Sequence, residues 1–116
     1  MDEDGEDRRD HPRALTDLEV SLTAEGGVVI DPAARALDVS PEGFRVVTKA
    51  PLEEGSLVNF SLSMDDGGPI AGTGEIAWCK KDSWGGTEGG VRILNVSWAD
   101  SQRLRGQVYQ DRKSVV

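Results

Sequence analysis

From Leu18 the chain alternates, with Leu18, Val20 and Leu22 apolar and Glu19, Ser21 and Thr23 polar between them. A period of two belongs to a strand with one buried face. Glu25-Gly26-Gly27 reads as a turn, and Val28-Val29-Ile30 as a short second strand closed by Asp31-Pro32. Ala33 to Leu37 and Phe44 to Thr48 read as strands on either side of a tight corner, Asp38-Val39-Ser40-Pro41-Glu42-Gly43. After a turn at Pro51 to Gly55, Ser56 to Met64 alternates again and places Val58, Phe60, Leu62 and Met64 on one face. Asp65-Asp66-Gly67-Gly68 is a hairpin signal, and Ile70 to Cys79 returns from it. Gly72 and Gly74 inside that run mark a bulge, a bend or a close backbone approach. A glycine-rich connection, Ser83 to Gly90, leads into Val91 to Val96.

The period then changes. Ser97-Trp98-Ala99-Asp100 resembles a capping box, and Leu104 and Val108 recur at helical spacing, with Trp98 or Tyr109 as further members. Gly106 weakens this helix without stopping it. Short strands joined by glycine-rich turns favour closure, because closure removes exposed edges. The pattern therefore predicts an all-β fold: a closed or nearly closed antiparallel barrel followed by a C-terminal helix.

Composition narrows the function. A length of 116 residues supports one domain with one modest core. The formal net charge of −8 disfavours nucleic acid and anionic membrane as partners, since both require a basic field. A small anion held by a local basic cluster stays open. One cysteine, Cys79, and one histidine, His11, make neither a disulfide within the chain nor a Cys/His zinc cluster. Cys79 reads as a reduced strand residue. Met1 to Asp7 is almost all Asp and Glu and reads as a solvated, disordered tail. It lacks the basic start and apolar run of a secretory signal, and no apolar run approaches membrane-spanning length, so a cytoplasmic location without membrane insertion is expected.

Two clusters carry candidate chemistry. Arg8-Arg9-Asp10-His11-Pro12-Arg13 places three arginines within six residues. Arginine forks match phosphate and the O6/N7 edge of guanine, and Pro12 disfavours helix at His11, leaving the segment extended or irregular. Its plain alternative is a basic linker that balances the acidic tail. The Asp38–Gly43 corner offers a carboxylate, a hydroxyl and bare backbone. Its plain alternative is an ordinary solvated turn. Trp84, in a glycine-rich loop, could stack on a base or simply pack the loop, and Trp78 and Trp98 read as core or helix-docking residues. His11 has no evident Asp or Ser partner, and no nucleophile–base pair or phosphate-binding loop of the Walker type is present, so no catalytic residues are assigned.

Taken together these residues resemble the PilZ domain family. That family is marked by R-x-x-x-R near its N-terminus and [D/N]-x-S-x-x-G on a downstream β-turn. The matching residues are Arg9 and Arg13, and Asp38, Ser40 and Gly43. Leu52-x-x-Gly55-x-x-Val58, Gly74-Glu75-Ile76-Ala77-Trp78 and Gly90-Val91-Arg92-Ile93 look like the family's later strands. Coverage runs from about Arg8 to Tyr109, and no motif position departs from the pattern.

The resemblance implies a six-stranded barrel that binds cyclic di-GMP, a ring of two guanylates, without a cofactor or metal. Arg9 and Arg13 would contact phosphates and guanine Hoogsteen edges. Asp38 would accept from guanine N–H groups, Ser40 would bond a phosphate or base, and Gly43 would admit close approach. Arg8, just before the motif, would reach a second nucleotide, so that an intercalated pair of ligands binds each protomer. The expected organisation is an acidic tail over 1–7, a PilZ domain over 8–110 and a C-terminal tail over 111–116. Within the domain, 8–16 form the arginine arm, 17–96 the barrel and 98–110 the helix. Binding would order the arm and signal to a downstream effector protein in motility, pilus or exopolysaccharide control. The alternative is a nucleotide-independent interaction adaptor of the same fold. Members of that kind usually lack the arginine or Asp/Ser/Gly residues, which are intact here.

Overall fold

The computed structural model describes the backbone of residues 14–64 and 67–115 and the side chains of 18–64 and 67–106. Six strands, β1 (Ala14–Ala24), β2 (Val29–Ser40), β3 (Gly43–Thr48), β4 (Leu57–Leu62), β5 (Ile70–Lys81) and β6 (Thr87–Val96), precede one helix, α1 (Trp98–Val115). All strand pairs are antiparallel and close a barrel in the order β1-β2-β3-β6-β5-β4. The closed antiparallel barrel with a C-terminal helix is the all-β architecture that the alternation predicts, and its six strands are the number that the family resemblance implies.

The alternation works as expected in the shorter strands. Val20 and Leu22 of β1, Phe44 and Val46 of β3, and Val58, Phe60 and Leu62 of β4 all point inward and are buried. Phe44 and Phe60 meet edge to face across the interior, their ring centroids 5.2 Å apart at 74°. Gly72 and Gly74 have the crowding that glycine within a strand signals. A Cβ on Gly72 would sit 2.4 Å from the Asn95 carbonyl oxygen, and a bulge separates Thr73 from Gly74.

Four element boundaries differ from the sequence expectation. Asp31-Pro32 does not close a strand, because β2 runs through it. Val20 pairs with Ala34 and Leu22 with Asp31, so β2 has one more residue than β1 across that interval. A bulge tolerates proline because the extra residue is outside the hydrogen-bond ladder. Asp31 is tied into the structure by its side chain: Oδ1 accepts from Ala33 N–H at 2.9 Å and Oδ2 from the Thr48 hydroxyl. Strand β6 begins at Thr87, inside the stretch read as a glycine-rich connection. Finally, α1 continues to Val115 rather than ending near 110, and β1 begins at Ala14, inside the stretch expected to be arm.

Helix α1 starts as its capping signal predicts, with Ser97 Oγ accepting from Asp100 N–H at 3.1 Å. Leu104 is its anchor, fully buried where the helix meets β1 and β2. Trp98 is 78% exposed, not a core or helix-docking residue. Six residues of helix place Trp98 roughly 120° around the axis from Leu104, so both cannot face the barrel. Arg103 adds a tie to the β4–β5 connection by donating to the Gly68 carbonyl at 2.6 Å.

Candidate functional site

The Asp38–Gly43 corner is the hairpin between β2 and β3. Ser40 pairs with Gly43 across Pro41 and Glu42, and a register shift separates Leu37 from Ser40. Asp38 occupies the shift with φ of 54°, the one positive value among the described non-glycine residues. Asp tolerates this left-handed conformation better than most side chains. The shift breaks the inward–outward alternation, so Val39 and Ser40 are buried in succession.

The corner's polar groups have partners of their own. Asp38 Oδ2 lies 3.3 Å from Arg45 Nε. The contact is an ion pair without hydrogen-bond alignment, since that buried Nε–H finds no acceptor. Arg45 also donates from Nη1 to Glu88 Oε2 at 2.8 Å, and Lys80 Nζ is 3.8 Å from Glu88 Oε1. Asp38, Arg45, Glu88 and Lys80 thus form a line of alternating charge across β2, β3, β6 and β5. The Ser40 hydroxyl accepts from Glu42 N–H at 3.3 Å and can donate its proton to the Gly43 carbonyl (3.2 Å) or to Glu42 Oε1 (3.3 Å). It shapes the turn. Gly43 is required by the barrel itself, since a Cβ there would lie 2.2 Å from the Val91 carbonyl oxygen.

Beside the corner a groove of about 400 Å³ is lined by Ser40, Glu42, Gly43, Phe44, Arg45, Ala77, Trp78, Gly90, Val91 and Arg92. Trp78 is 40% exposed there, not a core or docking residue. Its indole lies against Gly90, where a Cβ would meet Nε1 at 2.1 Å. The cause is a second break in alternation: Ile76 pairs with Val91 and Trp78 with Gly90, so Ala77 is an extra residue and Trp78 turns outward. Arg92, on the same wall, is ion-paired to Glu75. The groove therefore sets an aromatic face beside two ion-paired guanidiniums and the Glu42 carboxylate.

Sequence reasoning had not placed Trp78, Arg45 or Arg92 at the site. Simple parity from Ile76 sends Trp78 into the core, and only the paired glycines opposite it, Gly89 and Gly90, hint that a large ring crosses β6. Of the residues singled out from sequence, Asp38, Ser40 and Gly43 come together in this corner, while Arg8, Arg9 and Arg13 lie outside the described residues, as does His11. The residue that follows Arg13 is described: Ala14 pairs with Val39, between Asp38 and Ser40. Cys79 is a half-buried strand residue whose thiol faces the Leu52 carbonyl at 3.5 Å.

Among the described residues, no helix is long and apolar enough to cross a membrane. Comparison with curated protein sequences gave no match. Among solved structures, the fold is similar to the Bacillus subtilis inhibitor of motility (MotI/DgrA), with a TM-score of 0.75 at 14% identity. The similarity covers 93% of this chain and 53% of that one, so the chain spans about half the length of its structural relative. A family model described as PilZ domain matches residues 7–110, which include both the arginine motif and the Asp38–Gly43 corner, and the chain belongs to the PilZ domain family.

Proposed function

We propose that this domain binds cyclic di-GMP between the arginine motif and the Asp38–Gly43 corner, and that the bound state is relayed to a partner protein. One observation supports this reading: Ala14, the residue that follows Arg13 in sequence, pairs with Val39, between Asp38 and Ser40. The ligand's chemistry fits what surrounds that point. Arg9 and Arg13 supply forks for phosphates and guanine Hoogsteen edges, Asp38 a carboxylate for the N–H edge, and Trp78 a face for a base. Each charge-assisted bond is worth roughly 1.5–3 kcal/mol, enough in sum to offset fixing the arm against the barrel. Arg8 extends the cluster toward a second, intercalated ligand. The event is one of binding, with no chemical step. The Bacillus subtilis protein of similar fold is an inhibitor of motility. The effector proposed here belongs to motility, pilus or exopolysaccharide control.

A second reading is favoured by the corner's internal contacts. Asp38 already faces Arg45, and Ser40 already serves its turn. A corner satisfied in this way fits a nucleotide-independent adaptor equally well. Isothermal titration with cyclic di-GMP separates the two readings. The sensor reading expects saturable binding that Arg9→Ala and Asp38→Ala each weaken about tenfold or more. It expects two ligands per protomer, reduced to one by Arg8→Ala. No binding by the wild-type protein would establish the adaptor reading, and saturation at one ligand would remove the role of Arg8.

A further inference from the structure

A second concavity, of about 590 Å³, lies farther along the outer face of β2 and β3. None of its lining residues lines the groove at the corner. Trp84 forms one wall, and Arg35 and Lys49, both exposed, supply positive charge. The volume is within the usual range of small-molecule sites, about 300–1,000 Å³.

Trp84 is held as a platform. It sits in the β5–β6 loop, which is closed by Asp82 N–H donating to the Gly86 carbonyl at 2.9 Å and Gly85 N–H donating to the Asp82 carbonyl at 3.1 Å. Gly85 takes a φ of 94°, open to glycine and strained for other residues. The indole lies directly on Gly86, where a Cβ would come within 2.0 Å of the ring. One ring face is thus backed by main chain while the side chain stays 54% exposed. Trp78 on Gly90 repeats this construction in the corner groove. The two grooves are neighbours: Arg45 lines one and Val47, two residues along β3, lines the other, a step of roughly 7 Å.

We propose that Trp84 and Lys49, with Arg35 beside them on β2, form a second nucleotide-binding station, with a base stacked on Trp84 and an anionic phosphate held by Lys49. A flat ring with one open face selects a planar partner, and an adjacent ammonium group selects an anion. A nucleotide carries both on one molecule. Asp31 is the one acidic residue of the lining, and its two oxygens are already engaged by Ala33 N–H and the Thr48 hydroxyl. The inference goes beyond the corner reading and stands without it. The occupant is either a further cyclic di-GMP molecule or a free mononucleotide, which share this chemistry.

Indole N–H resonances of the full chain test it. The three tryptophans give three signals, assigned through Trp→Phe variants, during titrations with cyclic di-GMP and with GMP. The station predicts a saturable shift of the Trp84 signal with at least one probe. Lys49→Glu, an exposed change, should weaken that response about tenfold or more. A Trp78 shift with Trp84 unmoved by both probes would overturn the station while leaving the corner reading intact. Movement of Trp84 alone, by GMP, would support the station and remove the corner reading. If both signals stay still with both probes, both proposals fall. A Trp84 shift that is unchanged in Lys49→Glu would also overturn the station, because stacking alone does not select a nucleotide.

Discussion

At the scale of single residues, the corner is built from backbone requirements as much as from side-chain chemistry. Asp38 combines a left-handed backbone with an ion pair to Arg45, whose side chain is 40% exposed. Solvent screening limits that pair to about 1 kcal/mol or less. Asp38→Asn removes the charge but keeps a residue that tolerates positive φ, whereas Asp38→Ala adds roughly 1–2 kcal/mol of backbone strain. Urea unfolding should therefore rank wild type first, Asn next and Ala last. An Ala variant at least as stable as Asn would show that the left-handed conformation is not a constraint. The two crowded glycines facing the groove separate in a similar way. Gly43→Ala drives a Cβ into the Val91 carbonyl, which neighbouring strands cannot yield, and should cost about 1–3 kcal/mol or more. In Gly90→Ala the obstacle is the Trp78 indole, which can swing away. That variant should unfold close to wild type yet show altered Trp78 fluorescence and weaker cyclic di-GMP binding. A large stability loss with the indole unmoved would mean that Trp78 is locked in place.

Elements show which parts of the structure can be seen in advance. Strands that keep a strict period of two, such as β3 and β4, are visible in the alternation of Phe44, Val46, Val58, Phe60 and Leu62. Bulges hide the rest. Pro32 looks like a strand end until the extra residue of β2 is paired, and Trp78 looks like core until Ala77 is counted as extra. The motif half of the site is legible because its residue types are distinctive. The groove wall is not, because Arg45, Arg92 and Trp78 come together through register between β3, β5 and β6. Helix α1 is legible from Ser97 and Leu104 and misleading at Trp98, where a large apolar residue lies on the solvent side. Leu104→Ala should remove about 2–5 kcal/mol through the cavity left against β1 and β2. Ser97→Ala should remove about 0.5–2 kcal/mol by losing the N-cap. Thermal unfolding followed by circular dichroism checks both, and a Leu104→Ala loss no larger than that of Ser97→Ala would mean that α1 is not anchored through this side chain.

For the whole molecule, the balance to explain is between an acidic chain and the anionic ligand proposed for it. The net charge is −8, and five acidic residues, Asp2, Glu3, Asp4, Glu6 and Asp7, directly precede the arginine motif. Residues 1–7 lie outside the described structure, so their effect is argued from charge alone. Carboxylates this near in sequence to Arg8, Arg9 and Arg13 would compete with a phosphate for the same guanidiniums and would repel the proposed ligand. Both effects are screened, over about 30 Å at 0.01 M salt and about 3 Å at 1 M. Exposed pairs contribute roughly 0.2–1 kcal/mol, so deletion of residues 1–7 should tighten cyclic di-GMP binding about 1.5- to 5-fold at low salt. The gain should shrink toward nothing as salt approaches 1 M, because charge effects of an exposed segment are screened there. Titration of the full chain and the truncated chain across that range measures the difference directly. Equal affinities at low salt would show that the acidic segment leaves the arginines alone. A gain that persists undiminished at high salt would instead point to steric exclusion by the segment, independent of its charge.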